Sequence, residues 1–197
     1  MEMLINLYHS NIWKRTLIFW IFFQIILWLI FGISYLCHND SWINISENII
    51  YNNDKWLSLF LFIFFNNLIL CILIAIGNLF VRFNVITPGL LIIFIQIISI
   101  GWYAGSNSFE IPFINVAQAN IQYLKVGIWE ITAYILTFSL TISKSLNVSS
   151  KFLPKKWDTT KKIKDIKFSR NEKVVLITII LLLILAAFIE TNSIIFK

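Results

Sequence analysis

Two carboxylates stand inside long apolar runs. Glu130 lies in KVGIWEITAYIL, residues 125 to 136, and Glu190 in LLLILAAFIETNSIIF, residues 181 to 196. An ionised acid in hydrocarbon costs several kcal/mol, so it must face the bundle interior, pair, or take up a proton. Two acids at one depth can share a proton or bracket a polar cavity. Two acids near an interface can instead reach headgroups and water separately. As a general acid and base they would have to lie within reach of one substrate bond.

Two amides stand out next. Asn66 and Asn67 are adjacent in LFIFFNNLILC, near the middle of a second apolar run. Amides there need partners. They either bond between helices, at about 0.6 kcal/mol on average, or line a conduit. Gln24 and Gln96 read the same way with less weight. Gly77, Gly101, Gly105 and Gly127 are small residues that let helices approach closely. Lys125 lies about 140° from Glu130 around a helix, so it points to the surface rather than to the acid.

The sequence holds no GxSxG, HExxH or P-loop motif, and no paired aspartates of the intramembrane-protease type. No residue is assigned a catalytic role. The two cysteines, Cys37 and Cys71, form no CxxC, and His9 and His38 lack ligand-type neighbours. This spacing argues against a disulfide framework, a metal site or a cofactor. Aromatics interleaved with a basic groove are absent, which argues against nucleic-acid binding.

These side chains have to be positioned by membrane helices. The chain has 197 residues, 58% of them hydrophobic and only 13% charged, with a mean hydropathy of +0.79. Five apolar segments are long enough to cross a hydrocarbon core of about 30 Å: residues 16–36, 56–81, 86–105, 126–143 and 174–196. The expected fold is an all-α membrane protein, one polytopic domain over residues 1–197 built as a bundle of five transmembrane helices. The first run is too long for a cleavable signal, and no small-residue cleavage site follows it. Trp13, Trp56 and Trp102 near span ends fit interface belts.

Basic residues set the orientation. Lys14 and Arg15 precede the first span, and Arg82 follows the second. Loop 37–55 carries Asp40, Glu47 and Asp54 against Lys55. Loop 144–173 holds Lys144, Lys151, Lys155, Lys156, Lys161, Lys162, Lys164, Lys167, Arg170 and Lys173. Basic loops stay cytoplasmic, so the expectation is N-terminus inside and C-terminus outside in a cell membrane. Both glutamates then sit in the outer leaflet. Residues 106–124, around Pro112, read as an interfacial or re-entrant helix before span four. The lysine-rich loop, with Ile163, Ile166 and Phe168, reads as a solvated topology-setting loop or as a segment on anionic lipid.

The chain resembles the stage II sporulation protein M family of membrane proteins. Asn66-Asn67 matches an Asn-Asn pair of the second span, with Gly77 downstream, and Pro88-Gly89 falls near the small-residue turn before the third. GIWEITAYIL, residues 127–136, resembles the motif His-Gly-x-x-Glu-(Ile/Leu)-Pro-Ala through Gly127, Glu130 and Ala133. AAFIET, residues 186–191, resembles the last-span pattern through Glu190. The motif histidine is replaced by Val126, the proline before it by Lys125, and the proline after Glu130 by Thr132.

The resemblance implies a non-enzymatic membrane subunit, a scaffold or partner of a larger complex. One implied setting is a bacteriocin system, beside an ABC-type transporter in export, maturation or self-protection. The other is sporulation engulfment, beside peptidoglycan-degrading enzymes. The altered motif favours a specialised relative, and the Asn-, Ile- and Lys-rich composition suits a low-GC Gram-positive bacterium. Rival expectations are an autonomous channel or transporter and an intramembrane peptide-processing enzyme using Glu130 and Glu190. The expected partners are the lipid bilayer, other membrane proteins and a second copy of the chain. The candidate polar site is Glu130, Glu190, Asn66, Asn67 and Gly127.

Overall fold

A computed structural model describes residues 2–42, 56–109, 112–149, 158–160 and 162–195. A short helix α1 (Glu2–His9) precedes α2 (Ile12–Cys37); α3 spans Trp56–Phe80 and α4 Pro88–Ser106. Helix α5 (Val116–Gln122) passes through a π-helical turn, residues Tyr123–Gly127, into α6 (Ile128–Thr141), and α7 spans Arg170–Ile195. Five helices are long and apolar enough to cross a membrane: α2, α3, α4, the continuous Val116–Lys144 helix and α7. The shortest has 19 residues, a length of about 28 Å. Glu47, Asp54, Lys55, Lys151, Lys155, Lys156 and Lys161, which entered the charge reading, lie outside the described residues.

The fourth span is the hub of the bundle. In its apolar window 67% of residues are buried, against at most 33% for the other four, although its hydropathy of 1.4 is the lowest. The inversion has a physical reason. A central helix faces protein on all sides, and the surrounding helices supply the strongly apolar lipid contact. Ala133, Thr137, Ser139 and Thr141 can therefore be buried in α6. The Thr137 and Thr141 hydroxyls donate to Ala133 O and Thr137 O one turn back, at 2.9 and 2.7 Å. Around this helix Phe19 and Phe23 of α2 meet Phe138 edge-on, and Phe23 meets Phe94 of α4.

Glycines set the closest approaches between the outer helices. A Cβ on Gly105 would lie 2.4 Å from Phe31 O, and one on Gly77 would lie 2.4 Å from Gly89 N. Only glycine permits those approaches of α4 to α2 and of α3 to α4. Asn78, fully buried, pins the same corner. Its amide donates to Thr141 Oγ1 at 2.8 Å and accepts from Thr87 Oγ1 at 2.6 Å. Thr87 also caps α4, accepting from Leu90 N at 3.0 Å just ahead of Pro88.

One expectation is modified, and one loop carries strands that the sequence does not show. The segment before span four is helical from Val116, but it is continuous with that span rather than a separate interfacial or re-entrant helix. Its first turn is capped by Asn115, whose side chain accepts from Gln118 N at 2.9 Å; ahead of it Asn107, in the left-handed region (φ 53°), ends α4 and brackets Phe113 N and O at 2.8 and 2.9 Å. The lysine-rich loop is not all coil. Its strand β2 (Asn147–Ser149) pairs parallel to β1 (Val81–Phe83) and antiparallel to β3 (Asp158–Thr159). This small sheet closes the end of the bundle opposite the site described next.

Candidate functional site

Three helices bring polar groups together. Asn67 comes from the middle of α3, Glu130 and Tyr134 from α6, and Glu190 from the last turns of α7. Glu130 and Tyr134 are four residues apart, so they share one face of α6. Tyr134 is 1% exposed, and its buried hydroxyl needs a partner. It donates to Asn67 Oδ1. Asn67 Nδ2 in turn donates to Glu130 Oε1 at 2.5 Å. An amide has both a carbonyl oxygen to accept from the phenol and an NH2 to donate to the carboxylate.

The fold also puts Glu190 with this group. Glu130 and Glu190 line one cavity of about 360 Å³, within the usual size of small-ligand sites. They are close enough for their charges to interact. The walls are mostly apolar: Trp28 and Phe31 of α2, Ile100 and Ala104 of α4, and Phe109 and Phe113 of the following loop. The cavity is therefore amphipathic, with an acidic patch in a greasy pocket. That combination suits a group that is apolar along its length and cationic or hydrogen-bond-donating at one point.

The π turn shapes one wall. One extra residue per turn widens the helix over Tyr123–Gly127, a feature often found at functional positions. The Tyr123 ring lies across it, 5.4 Å and edge-on from Trp28, and its hydroxyl donates to Gln24 Oε1 at 2.5 Å. A Cβ on Gly127 would lie 2.8 Å from Tyr123 Cδ2. Gly127 thus makes room for a ring of its own helix, and not for a neighbouring helix as its small size suggests. Val126, standing where the resembling motif has histidine, is 4% exposed and lines the cavity. Thr132, in place of a motif proline, donates to Ile128 O at 2.6 Å and accepts from Trp20 Nε1 at 3.0 Å. The helix stays unbroken there and is tied to α2.

The other expected residues divide. Asn67 joins the two glutamates, but Asn66 does not. One residue on, about 100° around the helix, Asn66 is exposed on the outside of the bundle. Lys125 is exposed, as its angle from Glu130 requires. Tyr134 and Tyr123 belong to the site, and sequence reasoning misses both. The spacing of Glu130 and Tyr134 in EITAY is the available signal for the first. Nothing local marks the second, because it depends on the π turn.

These features define a polytopic α-helical membrane protein whose central helix carries a buried polar network beside an amphipathic cavity. The family model for stage II sporulation protein M matches residues 16–193. The chain belongs to the stage II sporulation protein M family. No curated protein and no solved structure matches it.

Proposed function

We propose that the chain is a non-enzymatic membrane subunit that holds another component of a membrane complex at the Glu130–Glu190 cavity. The observation that carries this is the Tyr134–Asn67–Glu130 chain. Its middle member is an amide, which fixes a carboxylate in place but relays no proton. The hydroxyl of Ser193, in the cavity lining, donates to Ile189 O of its own helix at 2.8 Å, so it is not held by a base. Val126 removes the imidazole that general acid–base chemistry at this wall would use. The basic segment 144–173 supports the orientation with N-terminus inside, which would open the cavity toward the outer face.

Within the family's two settings, the departures at Lys125, Val126 and Thr132 favour a specialised relative. That is a subunit working with an ABC-type transporter in export, maturation or self-protection of a bacteriocin. Self-association is a second part of the reading, carried by the exposed Asn66. Affinity purification from native membranes in mild detergent, with mass spectrometry of what co-purifies, tests the proposal. An ABC-type ATPase or a bacteriocin precursor, recovered with the wild type and lost from Glu130→Gln/Glu190→Gln, is the expected result. Peptidoglycan hydrolases would move the role to engulfment. Recovery of the chain alone, with ion or solute flux in liposomes that contain only this protein, would overturn the subunit reading in favour of a channel.

A further inference from the structure

A second polar pocket lies at the opposite end of the bundle, away from every residue that the apolar runs single out. It has a volume of about 380 Å³ and lies between the start of α2, the end of the central helix and the start of α7. Arg15 is its most buried charged group, only 2% exposed. One guanidinium nitrogen, Nη1, donates to Tyr8 O, and Nε has no partner. A buried cation with an unused donor is an unfinished arrangement, because desolvating that donor costs about 1–3 kcal/mol or more.

The surroundings are matched to an anion. Lys144 also lines the pocket, and its ammonium is paired with Glu172 at 2.9 Å. That pair cancels, which leaves the Arg15 charge as the net charge of Arg15, Lys144 and Glu172 together. Two helices of 26 residues each begin at the pocket, α2 after its cap Asn11 and α7 after Ser169. Their N-terminal dipoles are offset by the C-termini of α1 and of the central helix, which end at the same pocket, so the attraction for an anion rests on the Arg15 charge. The Glu172 carboxylate bonds Ser169 N at 2.8 Å and so satisfies one α7 donor; Asn171 remains at the exposed rim. Both helices are candidate spans. The pocket therefore lies at the bundle end where a headgroup layer begins, and Trp13 beside it is 47% exposed, as an interface tryptophan is.

We infer that the Arg15 pocket binds a phosphate group, carried either by an anionic lipid headgroup or by a small soluble phosphate. This site is independent of the Glu130–Glu190 cavity, and its test leaves that reading untouched.

The experiment uses the full chain in mild detergent. The apparent melting temperature is followed on titration with dioctanoyl phosphatidylglycerol, with dioctanoyl phosphatidylcholine and with inorganic phosphate. A saturable rise with phosphatidylglycerol, absent with phosphatidylcholine, is the expected result and assigns a lipid headgroup. An equal rise with inorganic phosphate supports the site and assigns a soluble phosphate. Two variants locate the binding. Arg15→Gln removes the charge and should weaken binding about tenfold or more, the scale of one charge-assisted hydrogen bond. Asn171→Glu changes only the exposed rim, where an acid suits the start of α7. It should keep the unliganded melting temperature and still lose the ligand-induced rise. No rise with any anion overturns the inference, as does a rise that survives in Asn171→Glu.

Discussion

Asn67 Nδ2 donates to Glu130 Oε1 at 2.5 Å, so the one amide of the Asn-Asn pair that turns inward is the one that holds the central carboxylate. The same amide accepts from Tyr134. Replacing it with leucine takes the partner from the buried Tyr134 hydroxyl and from the half-buried Glu130 carboxylate at once. Each such orphan costs about 1–3 kcal/mol. Asn67→Leu should therefore lower the stability of the bundle although it makes the helix more apolar. Tyr134→Phe in the Asn67→Leu background should recover part of the loss, since it removes one orphan. Melting temperatures of the four proteins in one detergent form the double-mutant cycle that checks this.

The two glutamates should be separable from the fold. Both are only partly buried and face the cavity. Glutamine keeps the size of each side chain and, at Glu130, keeps an acceptor for Asn67. Glu130→Gln and Glu190→Gln should insert normally and melt within a few degrees of the wild type. Each should reduce partner recovery several-fold, and the double variant should abolish it. Undiminished recovery with the double variant would remove the cavity from the function.

Much of this arrangement is legible in the sequence, and the reason is the solvent. Hydrocarbon tolerates so few polar side chains that Glu130, Glu190 and Asn67 stand out as exceptions in their apolar runs. The five spans follow from length and hydropathy for the same reason. What does not show depends on angle and on local backbone. Asn66 and Asn67 are chemically identical, and only the register of α3 sends one in and one out. Asn78 lies near the end of its span, where an amide draws no attention, yet it is fully buried at the α3–α4–α6 corner. The π turn that aims Tyr123 and the short sheet in the lysine-rich loop are set by tertiary context, which periodicity does not carry.

Glycine positions offer a test of the packing with an internal control. A Cβ at Gly105 would meet Phe31 O at 2.4 Å, whereas one at Gly32 would meet nothing within 4 Å. Backbone cannot yield as a flexible side chain can. Gly105→Ala should then push α4 from α2 and cost about 1–3 kcal/mol, the usual scale of overpacking. Gly32→Ala should be neutral or stabilising by up to about 1 kcal/mol, because alanine is the better helix former. Equal melting temperatures for the two variants would contradict the close α2–α4 approach.

Helix α1 is docked by Tyr8, whose hydroxyl donates to Val85 O at 2.5 Å and whose ring is 2% exposed. Burial pushes its phenol up to about 12, against a smaller opposite pull from Arg82. The folded value lies above the ordinary value of 10. The contribution of the neutral phenol is thus complete below pH 10 and is lost as pH rises from about 10 to 12. Tyr8→Phe should lower the melting temperature at pH 8 by an amount equivalent to about 1 kcal/mol. The difference from wild type should shrink above pH 10. A difference independent of pH would mean that Tyr8 is not what loosens the end of the bundle in alkali.

Asn66 gives the remaining prediction. It is exposed halfway along α3, on a face otherwise made of Phe62, Phe65, Ile69 and Leu73. A lone amide there has no water to bond in a bilayer. A second copy of the chain supplies the identical group, and a two-fold axis through Asn66 lets each amide donate to the other. Such intramembrane bonds contribute about 0.6 to 2 kcal/mol, enough to shift association when apolar surfaces already touch. A cysteine placed at Phe62, one turn away on the same face, should cross-link between copies in membranes. The yield should fall several-fold when Asn66→Leu is added, while the melting temperature of the monomer stays the same. Asn66→Gln should restore the cross-link, because it restores donor and acceptor. Cross-linking that ignores Asn66→Leu, or that is absent from the start, would leave this face to lipid alone.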